Sequence, residues 1–114
     1  MTRFMVIYNS QMSAAEVMAN STPEEMKAGM DAWMAWAQEH GDAIVDFGQP
    51  LEARVHLESG TSTAGTNQAS GYSILQSDSI DALTKALENH PHLHVAGNTI
   101  DVLEVLPMPG MGSG

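Results

Sequence analysis

The strongest constraint on the fold is a short apolar segment near the start of the chain. In an extended strand, Phe4, Val6 and Tyr8 share one face, and Met5 and Ile7 share the other. A strand that is apolar on both faces must be covered on both faces. The fold must therefore supply one apolar layer on each side of this strand.

The rest of the chain divides into predicted helices, strands and links. Further strands are predicted over Ala43–Phe47, Gly71–Leu75 and Thr99–Leu106. Leu51–Leu57 alternates and is predicted to continue the second strand past a kink or bulge, whereas Ser59–Ser70 is predicted as a mobile loop or hairpin tip. Gln11–Ser21 is interpreted as a connecting segment with one loose turn around Ala14–Met18, or as a lid.

The first long helix has a clear start signal. Thr22 is the predicted N-cap, Pro23 occupies the first helical position and Glu25 completes a capping box. The helix is predicted to end at His40, with Gly41 as the left-handed residue after it.

The periodicity of this helix predicts which side is buried. Met26, Met30, Trp33 and Ala37 lie on one line at 100° per residue, and Trp36 lies at the edge of that stripe. The line is predicted to pack against the sheet.

The segment Ser77–Ser79 is predicted to cap the second helix, which buries a face that carries Ile80, Leu83 and Leu87. Pro91 prevents its extension.

The order of elements predicts an α+β fold of the ferredoxin-like βαββαβ type, a four-stranded antiparallel sheet with two helices on one face. In the last strand Ile100 and Val102 fall on one face, and Leu103 and Val105 on the other. The face without helices is therefore apolar too, and we expect a twofold partner to cover it, giving a dimeric α/β barrel. A bulge near Val102 that switches the phase is the alternative.

Length and charge limit the class of protein. The chain has 114 residues, and residues 1–108 are predicted to form one domain, with residues 109–114 as a flexible C-terminal tail. Fourteen acidic against four basic residues give a formal charge of -10, so we expect no nucleic acid and no membrane partner. The chain has no cysteine and no recognisable targeting or membrane segment, so the cytoplasm is the expected location.

Several segments together resemble the YCII-related family, in particular its DGPF-type branch. They are Phe4–Tyr8, Pro23–Met26 with Ala32-Trp33, Gly48–Leu51, Gly71-Tyr72, and His90–Leu93 with Val102–Met108. The resemblance implies a dimeric α+β barrel with a cleft in each subunit between sheet and helices. The Asp-Gly-Pro-Phe signature itself is absent, because the loop before Gly71 reads Gly65–Ser70.

Relatives with a proposed catalytic role carry a His-Asp pair, with the histidine on the first helix. In this chain the matching turn holds Trp33 and Trp36. A hydrolase or dehalogenase role therefore does not carry over from the resemblance.

His90, His92 and His94 alternate where the second helix ends. In an extended chain His92 and His94 would face the same side, and either is a candidate general acid or base near neutral pH. Asp46 interrupts an apolar strand and is a candidate partner for them. His90 is interpreted as a helix-end residue whose protonated ring the helix dipole favours, and surface-loop roles for the other two remain open. Two imidazoles do not make a metal site, so no metal or other cofactor is predicted.

Aromatic side chains offer a second candidate constellation. Trp33, Trp36, Tyr8 and Tyr72 are predicted to line a slot for a small planar ligand, and Gln49 is a further candidate for substrate binding. Core packing is the alternative for both tryptophans.

We therefore predict a dimer that binds a small organic molecule between sheet and helices. If it is an enzyme, we expect cofactor-independent acid/base chemistry of the lyase or isomerase kind. A non-catalytic binding or accessory domain is the alternative.

Overall fold

The computed structural model describes residues 1–108. Its elements in chain order are β1 (Thr2–Asn9), α1 (Ala14–Asn20), α2 (Pro23–Glu39), β2 (Ile44–Asp46), β3 (Val55–Glu58), β4 (Thr61–Ala64), β5 (Ala69–Ser77), α3 (Ile80–Leu87) and β6 (Thr99–Glu104). Short 3-10 turns cover Gly41–Ala43 and Pro91–His94. The predicted tail at residues 109–114 lies outside the described residues.

Four strands form one antiparallel sheet in the order β2-β5-β1-β6. With α2 and α3 as the two connecting helices, this is the predicted ferredoxin-like arrangement, which is confirmed. The sequence predicts all four strands, although β5 begins at Ala69 rather than at Gly71.

The core lies between one face of this sheet and the helices. Its buried apolar members are Phe4, Val6, Tyr8, Trp36, Leu75, Leu83 and Leu87. The predicted capping segment Ser77–Ser79 is confirmed, and within it Ser79 is the N-cap of α3, because its hydroxyl accepts the Ala82 N–H at 3.1 Å. Ile80 was expected on the buried face of that helix and is instead 48% exposed.

Helix α2 begins as predicted and packs differently. Thr22 and Glu25 form both bonds of the capping box. Only the C-terminal half of α2 reaches the core, however, so Met26 and Met30 are 45% and 60% exposed and the expectation that they are buried is wrong. Gly41 is also not left-handed, because the chain continues directly into a 3-10 turn.

Two elements were not predicted as the structure shows them. Helix α1 replaces the expected loose turn, and Ser13 and Glu16 cap it with a second capping box. After Pro50 pairs with Gly71, the chain leaves the sheet, and β3 and β4 form a separate two-stranded hairpin instead of prolonging β2.

The second face of the sheet remains open in the single subunit. Met5 lies opposite Ile74 on one side and Leu103 on the other, and all three therefore share the face away from the helices. Met5 is 37% exposed and Leu103 is 51% exposed. We call this surface the outer face.

Candidate functional site

Five ring side chains meet between the sheet and the C-terminal half of α2. Tyr8 comes from β1, Trp33 and Trp36 come from α2, and His90 and His92 come from the start of the 3-10 turn Pro91–His94. We call these five residues the aromatic–histidine cluster. Proline fixes the extended conformation of the residue before it, and so turns His90 inward at the point where α3 has ended.

His90 is the centre of the cluster and has no exposed surface. Its ring stacks on Tyr8 with the centroids 5.1 Å apart, and it lies 4.4 Å from Trp33 and 4.6 Å from Trp36. Nδ1 accepts the backbone N–H of His92 at 3.0 Å. A neutral ring that accepts at Nδ1 carries its proton on Nε2.

This Nε2 is the one buried side-chain nitrogen or oxygen in residues 1–108 that has no hydrogen-bond partner. A buried donor left in this state costs about 1–3 kcal/mol. Leucine or phenylalanine at this position would bury no polar group, so packing alone does not explain a histidine here.

The pKa of His90 is lowered from 6.5 to about 4, chiefly by burial and in addition by repulsion from His92, His94 and His40. The interpretation of His90 as a protonated helix-end residue is therefore wrong. At neutral pH the ring is uncharged, because a cation at this position would lose its hydration without gaining an anionic partner.

His92 is buried beside His90 and is held by the backbone. Its Nε2 lies 2.8 Å from the carbonyl oxygen of Asn9, to which a protonated Nε2 donates. Burial lowers the pKa of His92, and hydrogen bonds with the backbone of Asn9 and Thr99 oppose that effect. These bonds fix the ring against the end of β1.

Tyr8 continues the polar contacts toward β2. Its hydroxyl donates to Ser73 Oγ at 3.0 Å, and Ser73 Oγ donates to the carbonyl oxygen of Phe47 at 2.6 Å. Burial raises the pKa of Tyr8, and the bond to Ser73 partly offsets this. The phenol is therefore a neutral, oriented group at pH 7.

The two tryptophans differ in how they are held. Trp36 is 8% exposed, and its indole N–H donates to the carbonyl oxygen of Ala86 in α3 at 3.0 Å. Trp33 is half-buried and forms no side-chain hydrogen bond with any residue among 1–108. Its ring lies between His90 and Phe47, whose ring centroid is 6.3 Å away and which is 38% exposed. Trp33 thus forms the outer wall of the cluster and Trp36 the inner one.

The structure brings together only some of the predicted site residues. Tyr8, Trp33, Trp36 and His92 meet in the cluster, whereas His94 is exposed at the end of the 3-10 turn. Because this turn is not extended, His92 and His94 do not face the same side.

Asp46 is not brought to the histidines. It lies opposite Ile74, on the outer face, and its Oδ1 accepts the Gly48 N–H at 2.8 Å. Its carboxylate therefore stabilises the turn that follows β2. The predicted pairing of Asp46 with His92 or His94 is corrected accordingly.

Tyr72 is also separated from Tyr8. The residue opposite Tyr8 is Gly71, so Tyr72 points to the outer face, and a single subunit does not form the predicted slot with both tyrosines. Gln49 is exposed, and its carbonyl oxygen accepts the Tyr72 N–H at 3.3 Å.

Sequence reasoning did not single out His90, Ser73 or Phe47 as parts of this site. For His90 a local signal existed, since the residue before a proline at the first position of a helical turn often caps that turn. For Ser73 and Phe47 the sequence offers no such signal, because their roles depend on strand register.

Two surface concavities lie away from the cluster. One of about 250 Å³ is lined by Ser10–Ser13, Glu16, Leu51–Ala53 and Gly65–Ser70. The other, of about 470 Å³, lies at Met1–Arg3 and Glu104–Pro107. Neither is lined by a residue of the cluster, and packed rings occupy the position of the predicted pocket. Within residues 1–108, no group of three metal-ligating side chains comes together and no helix is long and apolar enough to cross a membrane.

The fold and this site define a ferredoxin-like α+β protein with a buried histidine between aromatic rings. No family model and no curated protein matches the sequence, so membership of the YCII-related family remains a prediction. Among solved structures, the chain is similar to 5-chloro-2-hydroxyhydroquinone dehydrochlorinase from Burkholderia phenoliruptrix AC1100, in complex with 2,5-dihydroxybenzoquinone. The identity is 18%, the match covers 87% of this chain and 90% of that chain, and the TM-score is 0.48. A likeness at this level carries no argument about activity.

Proposed function

We propose that this protein binds a small, neutral, planar organic molecule at the aromatic–histidine cluster, and that it does so as a homodimer. One observation carries the proposal: rings from β1, α2 and the 3-10 turn converge on a buried polar side chain, where an ordinary core would hold aliphatic groups. Aromatic walls with a few oriented polar groups are typical of small-molecule sites.

The charges of the chain support a neutral ligand. The formal charge is -10, and the four cationic side chains are Arg3, Lys27, Arg54 and Lys85. None of them belongs to the cluster, and Lys27 is paired with Asp31 at 3.0 Å. A carboxylate or phosphate would meet repulsion without a compensating cation.

The outer face supports the homodimer. Exposed Met5 and Leu103 lie beside Val105, which is 43% exposed. Apolar side chains on one face of a sheet are stabilised when a second sheet removes them from water. Two copies that pack these faces together form the twofold barrel that the sequence predicts.

Simple binding fits the geometry better than acid/base chemistry. The imidazole of His92 is already bonded to the backbone, and Asp46 is directed to the other face. The roles of His92 and His94 in a lyase or isomerase step therefore remain predictions. They would show as product formation that is lost in His94→Ala or His92→Ala, while a non-catalytic domain would bind and release its ligand unchanged.

The binding proposal is tested by tryptophan fluorescence with benzamide, acetophenone and benzoate as probes. We expect saturable quenching by the two neutral probes, with a Kd of about 1 mM, which corresponds to about -4 kcal/mol. Benzoate should quench much less. Trp33→Ala should abolish the saturable change, and Met34→Ala, at the next and exposed position of α2, should retain it.

Linear, unsaturable quenching by all three probes would contradict the proposal. So would equal saturation in Trp33→Ala and in the wild-type protein.

A further inference from the structure

We infer that His90 is the specificity-determining residue of this site, and that its Nε2–H donates a hydrogen bond to an oxygen acceptor on the planar ligand. This inference rests on the proposed function and goes beyond it by naming the recognised group: a carbonyl, or another neutral oxygen acceptor, attached to a flat ring.

The direction of the donor is set by the backbone. His92 N–H donates to Nδ1 of His90 at 3.0 Å, so the neutral ring keeps its proton on Nε2. Every other buried side-chain nitrogen and oxygen in the described part of the chain has a partner, and this nitrogen has none. An acceptor oxygen on a ligand would provide the missing hydrogen-bond partner of His90 Nε2–H.

The rings around His90 limit what can approach Nε2. Tyr8 covers one face of the imidazole at 5.1 Å with an interplanar angle of 28°. Trp33 and Trp36 stand across it, at interplanar angles of 86° and 60°. A flat molecule can take the place of one of these three rings against the imidazole, whereas a bulky or branched molecule would have to displace all three.

Trp33 is the wall that can move. It is partly exposed and has no hydrogen bond among residues 1–108, whereas Trp36 is tied to Ala86. The ligand therefore enters where the Trp33 ring turns outward toward Phe47, and the ring then covers the bound ligand.

The competing account is that Nε2–H points at the π face of an indole ring and needs no other partner. The two accounts differ in what a carbonyl group adds to affinity. If Nε2–H of His90 has no acceptor, the protein should bind a ketone more tightly than a hydrocarbon of the same shape. If an indole ring already accepts this N–H, the two affinities should be equal.

The test uses two fluorinated probes that differ in this group, 4-fluoroacetophenone and 1-ethyl-4-fluorobenzene, with binding followed by ¹⁹F NMR. We expect the wild-type protein to prefer the ketone by about tenfold. His90→Asn keeps an oxygen that can accept the His92 N–H and removes Nε2, so it should bind both probes equally. His56→Asn, the same substitution at an exposed histidine on the β3–β4 hairpin, should keep the preference.

A second measurement needs no variant. Long-range ¹H–¹⁵N spectra of the wild-type protein should show His90 as the Nε2–H tautomer, and the ketone should shift the Nε2 signal of His90 while leaving that of His94 unchanged.

If the wild-type protein binds both probes with equal affinity, or the His90 signal does not move on binding, the inference is wrong and the proposed function stands. If neither probe binds to the wild-type protein, both are wrong.

Discussion

Acidification should destabilise this protein through His90, and the size of the effect follows from the lowered pKa. An exposed histidine in the unfolded chain titrates near 6.5, and burial in the cluster lowers the pKa of His90 to about 4. Between these pH values His90 is mostly protonated in the unfolded chain and mostly neutral in the native protein. Stability from this group is therefore fully present above pH 6.5 and is lost as the pH falls toward 4.

Between pH 7.5 and pH 5.5 this linkage amounts to about 1 kcal/mol, and over the whole range it approaches about 3 kcal/mol. His90 has no exposed surface, so the value needs no reduction for solvent screening. The lower limit of pH 5.5 keeps the protein above its sequence pI of about 4.5, where the net charge maintains solubility.

The assay is urea unfolding of the wild-type protein and of His90→Asn at both pH values and at one fixed protein concentration. The other titrating groups are common to both proteins, so they cancel in the difference between the two pH dependences. We expect the wild-type protein to lose about 1 kcal/mol more than the variant on acidification. An identical pH dependence in the two proteins would refute the buried, neutral state of His90.

Three further predictions concern the fold. Gly48→Ala should destabilise the protein by more than about 2 kcal/mol in urea unfolding, because φ at Gly48 is +87° and the new Cβ would lie 1.6 Å from the carbonyl oxygen of Tyr72. The control Gly29→Ala adds a Cβ on α2 that meets nothing within 4 Å and should stabilise the protein by about 0.5–1 kcal/mol. Equal effects of the two substitutions would contradict the described turn. Ser73→Ala should lower the free energy of unfolding by about 1–3 kcal/mol in the same assay, because the buried Tyr8 hydroxyl loses its hydrogen-bond acceptor. An unchanged free energy of unfolding would mean that another group accepts the hydrogen bond from Tyr8. Leu103→Lys should convert the proposed dimer to a monomer in light scattering even though it reduces the negative charge, and Val17→Lys, a comparably exposed site on α1, should not. Equal dimerisation in wild-type protein and Leu103→Lys would place the interface elsewhere, and a monomeric wild-type protein would contradict the proposed dimer.

Local signals in the sequence predict the elements well where they act alone. The Thr22–Glu25 capping box and the Ser79 cap mark helix starts without help from tertiary structure. The Ser13–Glu16 box carries the same signal, but the short and mixed pattern that follows it obscured α1. The Asp46-Phe47-Gly48 sequence likewise contains the turn in which the Asp46 carboxylate is engaged.

The remaining differences arise from information that no local pattern contains. Periodicity places Met26 and Met30 on one side of α2, but whether another element covers that side depends on where the helix crosses the sheet. Strand register decides that Gly71, and not Tyr72, lies opposite Tyr8, and a shift of one residue exchanges the two faces. Of the two tyrosines predicted to line the slot, the structure therefore places Tyr8 beside Trp33 and Tyr72 on the outer face.

The sequence singled out most members of the aromatic–histidine cluster as candidates, but not its central residue. Trp33, Trp36, Tyr8 and His92 were all candidates, yet the residue around which they gather was taken for a helix-end cation. The burial of His90 results from the combination of Pro91, the His92 N–H and two tryptophans, which only the folded chain brings together.

The central claim is that the ligand site is the aromatic–histidine cluster and not a surface concavity. It is tested most directly by ¹H–¹⁵N chemical-shift mapping of the wild-type protein during titration with acetophenone. We expect the largest saturable shifts at the indole N–H groups of Trp33 and Trp36 and at the backbone N–H of His92. Shifts confined to Ser10–Ser13 and Gly65–Ser70, which line the 250 Å³ concavity, would contradict it.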